Sequence, residues 1–166
     1  MRTIVSYINN LIFPLIPESR AFGFKRLMLR IAGAEIGANV KISSSCKIFG
    51  AGELVIGDNT WVGYQCTIVT SSRITIGKNV DIAPGVYIGT GTHVIDPASD
   101  HIAALDISRD VRIGDGCWIC VNATILPGSE IGDKCVVAAA AVVGDKYHDE
   151  KVLIAGVPAK IIKHYD

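Results

Sequence analysis

Histidine is the side chain in this sequence best suited to moving a proton near neutral pH, because imidazole titrates close to that range. Of the four histidines, His93 lies in the segment GTGTHVID, at the edge of a gap in an otherwise regular pattern. An aliphatic residue recurs every six positions up to Val94 and is then missing until Ile113. His93 takes the last position of its six-residue unit, at an expected corner, a placement not shared by His101, His148 and His164. It is therefore the candidate for acid–base chemistry, with a structural histidine as the alternative.

The five cysteines, at positions 46, 66, 117, 120 and 135, offer neither a disulfide framework nor a zinc site. Their number is odd, and Cys117 and Cys120 form one CxxC spacing without the second half that a structural zinc site needs. The others, and Cys117, stand four positions after an aliphatic residue of the repeat, where a thiol serves as a compact apolar filler. We therefore expect no catalytic cysteine and a reduced, cytoplasmic protein.

The repeat that positions His93 covers most of the chain. Aliphatic residues stand at 36, 42 and 48, at 56, 62 and 68, at 76, 82, 88 and 94, and beyond the gap at 113, 119, 125, 131, 137 and 143. A strict period of six drifts on an α-helix, and two-residue alternation does not explain the glycine that commonly follows. Short strands that end at tight corners explain both features. Three such strands make one triangular turn, so the pattern predicts a mainly β coil of about five turns with a continuous aliphatic core.

Two steps of the repeat are eight residues long instead of six. They fall between 48 and 56 and between 68 and 76, which predicts a two-residue bulge at the same corner of successive turns. The gap predicts a loop, about 95–112, that leaves the coil and returns to it. The chain then divides into an N-terminal helical cap, 1–35, a coil with this extruded loop, 36–148, and a C-terminal segment, 149–166.

The first segment, TIVSYINNLIFPLIP, is apolar enough to be compared with a signal sequence or a membrane anchor. Asn9 and Asn10 divide the apolar run, prolines shorten it, and it is too short to span a bilayer. The next stretch, SRAFGFKRLMLRIAG, interleaves basic and apolar residues and could rest on anionic lipid. We prefer a helical cap packed on the end of the domain, so membrane contact is the alternative and not the expectation.

Length and charge indicate one domain without a polyanionic partner. The 166 residues are 49% hydrophobic, which suffices for a single core. Sixteen basic residues balance sixteen acidic ones, so no overall field attracts nucleic acid. We expect no nucleic-acid partner.

Four motifs are specific in combination: IGDNTWVGYQCTI, ITIGKNVDIAPGVYIGTGTH, IGDGCWICVNATILPGSEIGD and the closing IAGVPAKII. With them, residues 30–166 resemble the hexapeptide-repeat acyltransferases, which fold as a left-handed parallel β-helix. Within that family the chain is most similar to the sugar O-acetyltransferases of the maltose, galactoside and polysaccharide-biosynthesis kinds. The resemblance implies the left hand of the coil and an activity, transfer of an acetyl group from acetyl-CoA to a hydroxyl of a sugar or glycoconjugate.

The resemblance also implies a role for His93. In these enzymes a loop leaves the middle turn of the coil, and a histidine at its start acts as the general base; His93 matches that position. It would take the proton of the attacking hydroxyl directly, without an acyl-enzyme. Its other ring nitrogen would be oriented by Asp96, by Asp81 or by a backbone carbonyl. No metal is expected in the chemistry.

For the donor, the resemblance implies a groove against the turns after the loop and the C-terminal segment. The matching positions for acetyl-CoA are Trp118, Val121, Ala139, Gly156, Val157, Pro158, Lys160 and Lys163, and the two lysines could meet phosphates. The family completes this groove with a neighbouring chain, so a homotrimer is expected.

For the acceptor, a small-molecule carbohydrate, the candidate contacts are Trp61, Gln65, Ser71 and Asp81. Gly63 and Ser71 stand where maltose and galactoside enzymes carry Asn and Asp, which implies a different carbohydrate. We expect the enzyme in the cytoplasm, with a peripheral position at the inner face of the membrane as the alternative.

Three other functions are alternatives to this one. N-acetylation of an amino sugar nucleotide is the closest, because it uses the same coil and the same donor. A zinc-dependent hydratase needs three histidines with a short spacing between two of them, which His93, His101 and His148 do not supply. A non-enzymatic scaffold or ice-binding coil would leave the loop and IAGVPAKII without a purpose, and the sequence lacks regular Thr-x-Thr faces.

Overall fold

Three β-sheets wound from short strands form the sides of a triangular prism in the computed structural model, which describes residues 1–166. Two helices, α1 (Thr3–Ile12) and α2 (Phe22–Ile31), precede the coil, with a 3₁₀ turn at Phe13–Leu15 between them. The strands are β1 (Glu35–Ile36), β2 (Lys41–Ile42), β3 (Lys47–Gly50), β4 (Leu54–Ile56), β5 (Trp61–Val62), β6 (Thr67–Thr70), β7 (Ile74–Ile76), β8 (Asp81–Ile82), β9 (Tyr87–Gly89), β10 (Gly91–Ile95), β11 (Ala103–Ser108), β12 (Val111–Ile113), β13 (Trp118–Ile119), β14 (Thr124–Ile125), β15 (Glu130–Ile131), β16 (Val136–Val137), β17 (Val142–Val143), β18 (Lys146–Tyr147), β19 (Val152–Gly156) and β20 (Ala159–His164).

Each sheet takes one strand from every turn of the coil. Sheet A has the order β1-β4-β7-β12-β15-β18, sheet B the order β2-β5-β8-β13-β16-β19-β20, and sheet C the order β3-β6-β9-β14-β17. All neighbouring strands are parallel except β20, which folds back antiparallel on β19. The coil therefore completes five turns and begins a sixth with β18 and β19, which confirms the predicted parallel β-helix. We call the edges of the prism the A–B, B–C and C–A corners, after the sheets that meet there.

The predicted aliphatic columns form the core. Along sheet A, for example, Ile36, Ile56, Ile76, Ile113 and Ile131 stack in register and are all buried. Four of the cysteines, Cys46, Cys66, Cys117 and Cys135, are buried in this core, and none of the five forms a disulfide. Burial raises the pKa of the Cys46 and Cys66 thiols, so both stay neutral and act as apolar filling.

The glycines that follow the aliphatic residues serve a different purpose from the one predicted. Gly57 does not have a positive φ; instead, a Cβ placed on it would lie 2.6 Å from the carbonyl carbon of Gly77 in the next turn. The left-handed conformation falls two residues later, on Asn59 and Asn79, which tolerate a φ near 55–59°. Glycine is thus required here by the close approach of stacked backbones rather than by the turn geometry.

The C–A corner carries both the bulges and the excursion. The two-residue insertions lie at Ala51–Gly52 and Ser71–Ser72, directly before β4 and β7 of sheet A. In the third turn the same corner opens into an antiparallel hairpin of β10 and β11, which we call the hairpin. Its first strand begins at Gly91 and its second ends at Ser108, so the excursion spans 91–108 rather than the predicted 95–112. The difference arises because residues 91–95 pair with residues 103–108 and not with the coil.

The N-terminal helices close the first turn of the coil, as predicted. A free edge strand of a sheet leaves backbone groups without hydrogen-bond partners. At this end of the coil, side chains of the helices supply the partners. Lys25, fully buried, donates to the carbonyl of Ile42 at 2.9 Å, and Arg26 and Arg30 donate to those of Val40 and Ile36 at 3.0 and 2.9 Å. Burial lowers the pKa of the Lys25 ammonium. Three of the basic residues considered for lipid contact therefore bind the coil.

Candidate active site

His93 lies in the middle of β10, directly opposite Asp106 of β11. Its Nδ1 is 3.0 Å from Oδ1 of Asp106. Because a carboxylate only accepts, its position beside Nδ1 favours the tautomer with the proton on Nδ1, in which the lone pair of Nε2 is free to accept another. About half of the His93 side chain is exposed, at 51%, so Nε2 is accessible to a ligand. The pair has the arrangement of a general base with its orienting acceptor.

The two aspartates predicted to orient His93 lie elsewhere. Oδ1 of Asp96 accepts a hydrogen bond of 3.0 Å from the backbone of Ala98 and so shapes the tip of the hairpin. Asp81 lies on β8 of sheet B, in register between Trp61 and Trp118. Asp106 lies across from His93 instead, because the antiparallel register of the hairpin pairs the two residues. The six-residue period contains no signal for this pairing, because the antiparallel register exists only within the hairpin.

A cleft of about 440 Å³ opens beside the His93–Asp106 pair. Its lining comprises Ser71, Gly91, Thr92, His93, Asp106, Ile107 and Ser108. Ser71 was predicted as an acceptor contact, and its hydroxyl lies so close to Gly91 that a Cβ there would be 2.8 Å from Oγ. The structure therefore brings Ser71 and His93 together in one cleft.

The base of the hairpin is fixed by residues that the sequence did not single out. The buried Thr90 accepts at Oγ1 from the backbone of Ser71 and Ser72, at 2.7 and 2.9 Å. Its carbonyl accepts from Arg109 at 2.9 Å, which closes the hairpin at its base. Asp110 accepts from the backbone of Arg73, and this bond lowers the pKa of its carboxyl. These contacts hold the strand of His93 against the coil.

The residues predicted to bind acetyl-CoA lie on sheet B and at the B–C corner that follows it. Val121 and Ala139 lie in the turns between sheets B and C, where Ala140 donates to the carbonyl of Val121 at 3.0 Å. The turn from Gly156 to Pro158 stacks on them, because β19 continues sheet B in register with β16. Trp118 is exposed on the outer face of sheet B, and Lys160 and Lys163 follow on β20.

His93 and the predicted donor residues thus lie at different corners of one chain. The outer face of sheet C separates them, and it is formed by Phe49, Thr67, Val69, Tyr87, Thr124 and Val142, with Lys47 as its only charged side chain. The outer face of sheet A, by contrast, carries Glu35, Arg112, Glu130 and Lys146. A single chain does not bring the two halves of the predicted site together.

The other predicted acceptor residues lie away from the cleft of the same chain. Trp61 packs edge-on against Phe22 and Tyr64, with ring centroids 6.0 and 6.3 Å apart. Gln65 adopts a left-handed conformation at the B–C corner, with φ of 55°. Trp61, Gln65 and Asp81 therefore share the side of the prism that carries the predicted donor residues.

Comparison with known proteins adds the following findings. Residues 110–145 match the family model described as bacterial transferase hexapeptide (six repeats), and residues 53–90 match the hexapeptide repeat of succinyl-transferase. The chain is 36% identical over 142 residues to Putative colanic acid biosynthesis acetyltransferase WcaF of Escherichia coli (strain K12), which covers 86% of this chain and 75% of that one.

Two solved structures have the same fold. A maltose O-acetyltransferase from Clostridium difficile 630 superposes with a TM-score of 0.74 at 24% identity, covering 99% of this chain and 87% of that one. A galactoside acetyltransferase in complex with coenzyme A gives a TM-score of 0.69 at 25% identity, covering 98% of this chain and 80% of that one.

Proposed function

The chain belongs to the hexapeptide-repeat acyltransferase family, and from this premise we propose that it transfers an acetyl group from acetyl-CoA to a hydroxyl of a sugar or glycoconjugate. The observation that carries the proposal is the His93–Asp106 pair at the mouth of a cleft on an extruded hairpin. The relatives support both substrates, since WcaF is described as an acetyltransferase of colanic acid biosynthesis and a galactoside enzyme binds coenzyme A.

In the proposed reaction, His93 is the general base. Its Nε2 accepts the proton of the acceptor hydroxyl while the oxygen attacks the thioester carbon. Asp106, bound to Nδ1–H, keeps the ring in the tautomer and orientation that this requires. As the new C–O bond forms and the C–S bond breaks, His93 returns the proton to the sulfur of the departing CoA. The buried thiols lie away from the cleft, so no cysteine is placed to form an acyl-enzyme, and the transfer is direct.

The donor side of the proposal uses the B–C corner. Small residues at Val121 and Ala139 leave room for a thin pantetheine arm to approach backbone amides, while Trp118 supplies an exposed flat surface. Gly156, Val157 and Pro158 extend this surface at the end of the coil, and Lys160 and Lys163 provide positive charge for phosphates. Five free cysteines favour a reducing cytoplasm, where acetyl-CoA is available.

We further propose that the protein is a cyclic homotrimer whose site is shared between chains. The hairpin exposes Ile95, Ile102 and Leu105, which a neighbouring chain would cover. The almost uncharged face of sheet C has the composition of an interface core, where charged residues are depleted. In a ring of this kind the hairpin of one chain reaches the B–C corner of the next, so His93 meets the donor residues that its own chain keeps at another corner.

On the acceptor side, Ser71 lies in the cleft of His93, and the neighbouring chain contributes Trp61, Gln65 and Asp81. The partly exposed ring of Trp61, beside carboxylate, amide and hydroxyl groups, suits a carbohydrate, which presents apolar faces and many hydroxyls. The acceptor class we propose is accordingly a sugar that differs from maltose and galactoside at the hydroxyl contacts.

Release of free thiol from acetyl-CoA, measured across a panel of sugars and amino sugar nucleotides, tests this function. We expect release to depend on a sugar whose only available nucleophile is a hydroxyl. A response confined to amino sugar nucleotides would instead favour N-acetylation. Release with no acceptor dependence at all would contradict the transferase proposal.

A further inference from the structure

Helix α1 is packed with its polar side inward. Ser6 and Asn9 are buried, whereas Ile4, Tyr7, Ile8 and Leu11 are exposed. These apolar residues follow the spacing of one helical stripe, which normally faces a core. Leu15, in the following 3₁₀ turn, extends the stripe and is 83% exposed.

The inverted packing has a physical reason in the coil. The first strand of sheet C has a free edge, and Asn10 satisfies it by donating to the carbonyl of Ile48 at 2.8 Å and accepting from its N–H at 3.1 Å. A helix that presents amides to the coil must turn its apolar stripe away from it. Helix α2 adds Phe24, Leu27 and Ile31, also exposed and also at helical spacing. Together with Ile4, Tyr7, Ile8, Leu11 and Leu15 they make eight residues, which we call the cap face.

The charge of the molecule is divided along its length. Residues 1–50 carry seven basic and two acidic side chains, a net charge of +5. Residues 51–166 carry nine basic and fourteen acidic ones, a net charge of −5. The net charge of zero is therefore the sum of a positive N-terminal part and a negative remainder. The cap face lies in the positive part. The basic residues are Arg2, Arg20, Lys25, Arg26, Arg30, Lys41 and Lys47.

Two occupants could cover an exposed apolar face of this kind: a second copy of the chain or a lipid surface. A symmetric contact between two cap faces would bring two ends of +5 together, which opposes association. An anionic bilayer complements both features. Apolar side chains enter the boundary between headgroups and acyl chains, and basic side chains that are not bound to the coil, such as the exposed Arg2 and Arg20, meet the phosphates. The structure contains no helix that could span a bilayer.

We propose that the cap face docks the protein on an anionic lipid bilayer. The inference does not depend on the transferase activity. Docking leaves the cleft accessible, because His93 belongs to the third turn of the coil. Two strand spacings and one helix diameter put it roughly 20 Å from the outer side of the cap.

Flotation with lipid vesicles tests the proposal on the intact protein. We expect the wild type to float with vesicles of phosphatidylglycerol and phosphatidylcholine at low salt, and to float less with phosphatidylcholine alone or at high salt. Leu11→Glu should lower the partition coefficient by about tenfold or more. The matched control is Ile162→Glu, an exposed apolar residue at the other end of the coil, which should float like the wild type.

Two results would overturn the proposal. The first is a wild type that stays at the bottom of the gradient with anionic vesicles, or one that floats equally well after Leu11→Glu. The second is a change in sedimentation coefficient on Leu11→Glu without any flotation of the wild type, which would make the cap face a contact between chains. Thiol release with a soluble acceptor should remain at the wild-type level in Leu11→Glu, so failure of docking can be distinguished from failure of the transferase proposal.

Discussion

The ring of His93 has one ion-pair contact, which lies across the hairpin. Its Nδ1 lies 3.0 Å from Asp106, and no residue of the coil takes part in this pair. The reactivity that we propose for Nε2 thus depends on the pairing of β10 with β11. Asp106 acts through His93 rather than on the substrate, so we describe it as a positioning residue.

Asp106→Ala should reduce kcat by on the order of tenfold to a hundredfold and leave KM for acetyl-CoA unchanged, because the ring loses its acceptor while the donor groove is untouched. Asp106→Asn should restore much of the activity, since the amide oxygen still accepts from Nδ1–H. Steady-state kinetics of thiol release measure both effects.

The matched control is Asp96→Ala, an aspartate of the same hairpin that bonds only to the backbone at its tip. Equal losses in Asp96→Ala and Asp106→Ala would show that the hairpin is merely destabilised and that Asp106 has no orienting role.

The position of His93 could be predicted from the interrupted repeat, but its partner could not. Asp96 is closer in sequence and Asp81 lies in the repeat, so both were reasonable candidates. Pairing within the excursion depends on an antiparallel register that a six-residue period does not contain.

Helices α1 and α2 act as the closing element of the coil. Without them, the first strands of all three sheets would leave backbone groups without partners, and such edges promote association between chains. Asn10 makes two of the bonds that prevent this, both to Ile48.

Asn10→Ala should lower the free energy of unfolding by about 1–3 kcal/mol, because it leaves the N–H and carbonyl of Ile48 without partners. Thr3→Ala, an exposed position of the same helix, serves as the control. Urea unfolding at one fixed protein concentration measures the difference, and equal stability of the two variants would contradict this role of α1.

At the scale of elements, the sequence predicted the coil, its core and the presence of a helical cap. The six-residue period determines which side chains point inward, and the same residues are buried in the structure, except Val94, which lies on the hairpin and is exposed. It does not determine which side of α1 meets the coil, because the free strand edge that attracts Asn10 exists only once the coil has formed. The corner glycines show the same limit: close stacking of turns is a property of the assembled coil.

The whole molecule divides its proposed site between two corners. His93 lies on the hairpin at the C–A corner, and Val121, Ala139 and the turn at 156–158 lie at the B–C corner. The ring of three chains that we propose would unite them, with contacts from the almost uncharged face of sheet C and from the apolar hairpin. The six-residue period contains no geometric reason for a trimer. The expectation of a trimer comes from the resemblance, and the separation of the two corners supports it.

Mixing two inactive variants tests the shared site. Chains with His93→Ala lack the base, and chains with Ala139→Trp have a blocked donor corner. In trimers assembled from equal amounts of the two variants, an intact hairpin meets an intact corner at about one quarter of the interfaces. If the site lies between chains, activity should be recovered at those interfaces. Sedimentation should report three chains throughout. Mixtures that stay inactive would place both halves of the site on one chain.

The measurement that tests the central claim most directly is the rate of acetyl transfer to the best acceptor by wild type, His93→Ala and His101→Ala. His101 lies at the tip of the same hairpin, is exposed and makes no contact with the cleft, so it controls for changes in the hairpin itself. We predict that His93→Ala remains folded and trimeric but loses transfer by on the order of a hundredfold or more, while His101→Ala keeps it. Equal rates for His93→Ala and the wild type would show that His93 is not the base.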